Sequence, residues 1–181
     1  MERKLFELGI IIGRFQTLHN GHVDMIEKAC KICKKVGVFI FASQEYGTKK
    51  DPFTYSFREN MLRSVFGEKI RIFPLPESHK SNDSAYIKEK IIKHFGRLPD
   101  VVISGKSLRR TDWFGKEDKI AELYLPKETS ISATQLRKYL FDGDKMKWCE
   151  FVPRELWNQY DIMRMVMLSI KDDIFSNSVE R

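Results

Sequence analysis

The chain has 181 residues, 42% hydrophobic and 31% charged, with a formal net charge of +7. That length is one domain by the ordinary prior and supports a sizeable core. The composition excludes collagen-like, low-complexity and disordered classes, and no internal repeat is visible. The positive charge favours acidic partners in general: nucleic acid, an anionic surface or small phosphorylated molecules. Arg3 and Lys4 are not followed by a long apolar core with a cleavage site, and no apolar run reaches membrane-spanning length. The expectation is a cytoplasmic protein with no membrane partner.

Leu8 to Ile12 is an apolar run within a first strand, Glu7 to Ile12. A turn follows, Gly13-Arg14-Phe15-Gln16-Thr17-Leu18-His19-Asn20-Gly21-His22, and then a helical pattern from Val23 to about Lys35. A glycine-bearing strand-to-helix turn is a natural anion site, because free amides at a helix start carry partial positive charge. His19 and His22 are three apart, so on a helix start they share a face and can reach one phosphate group. Imidazole donors suit a phosphate that gains charge.

Cys30 and Cys33 form a C-x-x-C within that helical pattern, and Cys149 is alone. No second pair completes a zinc site, and the pair does not open a helix as a redox motif would. They read as ordinary thiols in a reducing compartment.

Val36 to Ala42 is a near-continuous apolar run, as for a parallel strand buried on both faces. With the first strand and helix it makes a βαβ unit. Ser43 to Thr54 is a polar loop at the strand's carboxyl end, where ligands collect in open α/β sheets. Tyr55 to Phe66 is a second helix with Arg58 in its first turn. Lys69 to Phe73 is a third strand, ended by Pro74 and Pro76, and Asn82 to Phe95 a third helix. Asp100 to Ser104 is a fourth strand with a strand-end turn at Gly105. Arg109 and Arg110 lack a wider basic stripe, so nucleic-acid binding is not expected. Ala121 to Leu125 is a short fifth strand. From Glu128 a Ser/Thr run precedes Leu136, Tyr139, Leu140 and Phe141, the pattern of a capped helix start. Its amides and hydroxyls, at Ser132 and Thr134, could equally hold phosphates, with Arg137 facing them. Glu155 to Ile170 is an amphipathic helix, and residues 171–181 are a polar tail. The architecture expected is a Rossmann-like single α/β domain: a parallel sheet of about five strands flanked by helices. Residues 1–170 would form the domain and 171–181 the tail.

The first turn resembles the GxFxPxHxGH signature of the nucleotidyltransferase superfamily, with Thr17 where that pattern has Pro. Ile131 to Arg137 resembles the second signature, ISSTxxR, with Ala133 for a serine. The Gly-Arg-Phe-Gln variant, and the likeness of Asp51 to Arg58 to an NPFTxxER segment, resemble the archaeal-type nicotinamide mononucleotide adenylyltransferases. The likeness spans roughly Leu8 to Pro153.

That resemblance implies adenylyl transfer from ATP to nicotinamide mononucleotide, giving NAD and pyrophosphate. It implies catalytic roles for His19, His22 and Arg137. It implies an ATP site at Gly13, Arg14, Phe15, His19, His22, Gly105, Ser132, Thr134 and Arg137. For the mononucleotide it implies Arg58, with Asn82 and Tyr86 approximating a segment whose Trp stacks on nicotinamide. Magnesium would be bound through substrate phosphates, without protein ligands. A homo-oligomer is implied as well. Other acceptors of the superfamily (nicotinate mononucleotide, phosphopantetheine, FMN), a cytidylyl rather than adenylyl donor, and a nucleotide sensor without turnover remain alternatives.

Overall fold

The computed structural model describes residues 4–77, 84–105, 114–126 and 131–170. Its centre is β1 (Phe6–Gly13), whose Leu8, Gly9, Ile10 and Ile11 are all buried. Side chains alternate across a strand. Ile11 therefore joins the core on one face of the sheet, while Leu8 and Ile10 join the core on the other. A strand apolar on both faces belongs in the middle of a parallel sheet, and β1 sits there. The sheet order is β3-β2-β1-β4-β5. Its members are β2 (Cys33–Phe41), β3 (Arg71–Leu75), β4 (Val101–Ser104) and β5 (Ala121–Tyr124), every neighbouring pair parallel. Five parallel strands in one sheet match the expected class.

The chain builds β1, β2 and β3 outward in one direction, then returns to lay β4 on the free side of β1. The connections after β1 and β4 therefore diverge. This is the switch point at whose carboxyl edge α/β proteins open a crevice.

The helices α1 (Asn20–Ile32) and α2 (Tyr55–Phe66) pack with the C-terminal helices on the Ile11 face. Those are α4 (Ala133–Asp142), α5 (Lys145–Phe151) and α6 (Tyr160–Ser169). On the opposite face α3 (Ser84–Phe95) covers Leu8, Ile10 and Phe39 through Ile87 and Ile91. Among the described residues no helix is long and apolar enough to cross a membrane.

Several boundaries differ from the sequence pattern. α1 stops at Ile32, and Cys33 is already extended, at φ −108° and ψ 143°. No loop separates α1 from β2, so the lysines at the junction hide it. The two cysteines thus lie on different elements: Cys30 in the last turn of α1, Cys33 opposite Phe6 in the sheet. Burial pushes the Cys33 thiol up to about 11, which keeps it protonated and unreactive near neutral pH. All three cysteines are free.

β3 runs through Pro74 to Leu75 instead of ending at Phe73. It is an edge strand, where the missing N–H of proline can face away from the sheet. The expected single helix from Glu155 is a 3-10 stretch, Arg154–Gln159, followed by α6. The short α5 had no periodic signal of its own. It starts on Asp144, whose carboxylate accepts from the Lys147 amide at 3.2 Å. Asn82 and the 171–181 tail lie outside the described residues.

Candidate active site

β1, β2 and β4 all end at one edge of the sheet, and a cavity of about 510 Å³ opens across them. β1 contributes the turn after Gly13 and the start of α1. β2 contributes Phe41 and, further along its loop, Lys50. β4 contributes Ser104 and Gly105, and the start of α4 adds Ser132, Ala133, Thr134 and Arg137. Every residue assigned above to ATP lies on this wall.

The turn is shaped by Phe15. Its backbone is left-handed, at φ 51°, and its ring is buried. The ring folds back beneath Gly13, where an added Cβ would stand 3.0 Å from the ring's Cζ. A side chain there would crowd the ring, so Gly13 eases both the fold-back and a close approach of ligand to backbone. The same ring lies 5.1 Å from the His22 imidazole, which in turn stacks on His19 at 3.8 Å and 25°. Phe15, His22 and His19 thus form one file of rings.

His19 occupies the N-cap of α1 with extended backbone and makes no side-chain cap, and the first turn holds no acidic residue. The helix start is open to an anion, with the imidazoles beside it. At α4 the cap is taken. Ser132 Oγ accepts from the Gln135 amide at 3.1 Å. Capping and lining the cavity are therefore not alternatives for this serine, since it does both.

Arg137 is buried along α4. Its guanidinium donates to the Gln16 carbonyl and to Thr134 Oγ1, the latter at 3.2 Å. Burial pushes its pKa down, and the nearby Asp51 carboxylate opposes that.

Gln16 carried no assignment in the sequence, yet it joins three parts of the site. Its side-chain amide pairs with the Phe53 backbone in both directions, at 2.9 and 3.1 Å, and its carbonyl receives Arg137. Asp51 was also unassigned. It is buried and takes Arg14 at 2.6 Å, while Arg14 reaches Glu77 at 3.2 Å and lies over the Phe41 ring. Local spacing cannot show such pairs, because their members stand far apart in sequence.

Of the residues expected for the mononucleotide, Arg58 and Tyr86 do not line the described cavity wall. Arg58 is fully buried. Its guanidinium donates to the carbonyls of Thr54, Arg14, Phe41, Ala42, Ser43 and Glu45, at 3.0 to 3.4 Å. Burial pushes its pKa down, with Asp51 opposing. Tyr86 turns its hydroxyl to the Pro76 carbonyl at 3.3 Å, with Lys90 over its ring. Asn82 cannot be placed. Phe41 and Lys50 are the residues that face the cavity from the β2 side.

The described wall carries Arg14, Lys50, Arg137 and the two histidines, and no carboxylate. Among the described residues no group of His, Cys, Asp or Glu is placed to hold a metal ion. A cation-lined crevice with an open helix start is chemistry for binding and stabilising phosphates.

The chain belongs to the cytidylyltransferase-like family, whose model matches residues 10–139. Within it, the chain is 30% identical over 152 residues to the nicotinamide-nucleotide adenylyltransferase of Methanococcus vannielii. That match covers 81% of this chain and 83% of the relative. The enzyme of the same name from Thermococcus onnurineus is 28% identical over 153 residues, covering 82% and 79%. Among solved structures, a bifunctional NMN adenylyltransferase/ADP ribose pyrophosphatase from Francisella tularensis, complexed with AMP and a manganese ion, superposes with a TM-score of 0.73. Identity there is 17%, and the match covers 91% of this chain and 52% of that one, which supports the fold.

Proposed function

We propose that the chain joins ATP and nicotinamide mononucleotide to give NAD and pyrophosphate. The observation that carries this is the stacked His19–His22 pair at the open start of α1, in one cavity with Arg137 and the start of α4. The activity named for the relatives from Thermococcus onnurineus and Methanococcus vannielii supports it.

The mononucleotide phosphate is already an anion and attacks the α-phosphorus of ATP in line. No general base and no covalent intermediate are needed. Catalysis rests on positioning and on stabilising charge. His19 and His22 donate to the phosphates as charge builds. Arg137 and the α4 start hold the β- and γ-phosphates, with Gly13, Arg14 and Phe15 lining the nucleotide pocket and Gly105 closing it from β4. A wall of cations without carboxylates fits a divalent ion that enters on the nucleotide, and magnesium is the ion proposed. Carried in on the nucleotide, such an ion would supply positive charge beside the phosphates that Arg137 and the α4 start hold. Residues 1–170 form the transferase unit in this reading, acting in the cytoplasm as a homo-oligomer.

The experiment is pyrophosphate release from ATP and magnesium, with nicotinamide mononucleotide, nicotinate mononucleotide, phosphopantetheine, FMN or no acceptor. Release that requires the nicotinamide mononucleotide is the expected outcome. Release with another acceptor only would reassign the substrate. ATP binding without release for any acceptor would make the chain a sensor.

A further inference from the structure

We propose that Gln16 is a positioning residue of the transfer step, one that holds the two substrate sides of the cavity in register with each other. The assignment rests on the adenylyltransferase reading above. β2 and its loop line one side of the cavity, and the start of α4 lines another. Gln16 bonds to both. Its side-chain amide meets the Phe53 peptide groups like one rung of a sheet: Nε2 donates to the Phe53 carbonyl at 3.1 Å, and Oε1 accepts from the Phe53 amide at 2.9 Å. Its own carbonyl accepts from the Arg137 guanidinium.

Gln16 is 2% exposed, so water cannot stand in for any of these bonds. Apolar packing beneath the site is non-directional and sets only a coarse distance. A paired amide fixes an orientation as well, because hydrogen bonds weaken steeply when bent. The loop after β2 is thus tied twice to the β1 turn. Asp51 takes Arg14 by charge at the part-exposed rim, and Phe53 takes Gln16 beneath it. Phe53 directly precedes Thr54, the cap of α2, so the same bond seats the start of that helix.

Direct transfer gives this arrangement its use. The attacking oxygen must lie in line with the leaving pyrophosphate, on the far side of the α-phosphorus. With pyrophosphate held at α4 and Gly105 closing the nucleotide pocket from β4, the acceptor enters from the β2 side. The two reacting atoms therefore belong to molecules seated on different elements. If those elements shift relative to each other, each substrate still binds its own side, but the approach is spoiled. A misplacement of about 1 Å is enough to cost roughly 10²-fold in rate. The signature of Gln16 is therefore a loss in kcat without a matching loss in binding.

The test uses the intact chain with Gln16→Met, which keeps the length and loses both bonds, and Gln16→Glu, which loses the donor. Arg137→Lys is made alone and combined with Gln16→Met. Pyrophosphate release, calorimetric binding of ATP and of nicotinamide mononucleotide, and thermal melting are read on each, with kinetics at a temperature where the variant is folded. Gln16→Met is expected to lower kcat about 10- to 100-fold, while each substrate's Kd changes less than about 3-fold. The combined variant should lose less than the product of the two single losses, because both act on one arrangement. If neither Gln16 variant folds, the same split is read on Gln16→Asn, whose amide is one methylene short. A lower melting temperature with wild-type kcat overturns the assignment, as does a loss confined to binding. Fully multiplicative losses in the combined variant overturn it too, and each of these leaves the transferase reading standing. A wild type that releases no pyrophosphate with any acceptor overturns both.

Discussion

The two sides of the cavity are built differently. On the β1 side, neighbours in sequence hold one another. Gly13 admits the Phe15 ring, that ring backs His22, and His22 stacks on His19. On the β2 side, the loop from Ala42 to Thr54 is held by charges from elsewhere. Arg14 reaches Asp51 and Glu77, and Arg58 gathers the carbonyls that close the strand ends. In the proposed reaction, the first construction places donors where charge would develop. The second fixes the loop after β2, and its arginine is spent on backbone carbonyls.

The largest expected effect lies on the β2 side. Arg58→Ala removes a buried charge and leaves several carbonyls without a donor, which should cost about 3 kcal/mol or more of stability. Thermal melting beside the KM for each substrate checks it. An unchanged melting temperature with only the mononucleotide KM raised would return Arg58 to the ligand and remove the contrast between the two sides.

On the β1 side the expected loss is in rate rather than in folding. His22→Ala should lower turnover roughly 10²-fold or more, as for other lost transition-state donors. The melting temperature should move little, because His22 itself is only half-buried. Turnover near that of the wild type would take His22 out of the chemistry.

What could be read in the sequence divides along the same line. The β1 side was legible because its donors sit within one ten-residue string and its strand-to-helix turn follows an unbroken apolar run. α2 was legible from Tyr55 to Phe66 because Thr54 caps it, accepting from the Phe57 amide. The roles of Gln16, Asp51 and Arg58 were not legible, since each depends on which strand ends lie side by side. The α1–β2 boundary failed for a related reason: Cys33 becomes extended by pairing with β1, against a helical pattern that continues through it.

Asp51 offers a smaller and more selective break. The resembling segment has Asn here, so Asp51→Asn keeps the shape and removes the charge. Asp51 is buried beside Arg14, and its Oδ1 has no hydrogen-bond partner among the described residues. The loss should be about 1–2 kcal/mol, felt as a looser β2 loop and a higher mononucleotide KM. Turnover at saturating substrate should hold. A fall in turnover without a change in KM would mean that the ion pair serves the β1 side instead.

The smallest expected effect separates backbone strain from packing. Both strands leave the sheet through a non-glycine residue in left-handed conformation, Phe15 at φ 51° and Ala42 at φ 49°. That conformation costs roughly 1–2 kcal/mol for a residue with a Cβ. At Phe15 the strain cannot be relieved without losing the ring that supports Gly13 and His22. At Ala42 only a methyl is at stake, so Ala42→Gly relieves the strain and loses little packing. Glycine's freer unfolded chain offsets part of the gain, about 0.5–1 kcal/mol. The net change should lie within about 1 kcal/mol of zero, with KM values unchanged, because Arg58 still holds the Ala42 carbonyl. A clear destabilisation in denaturant unfolding would show that the Ala42 methyl is packed too well to lose. The β2 exit would then depend on side-chain packing as the β1 exit does.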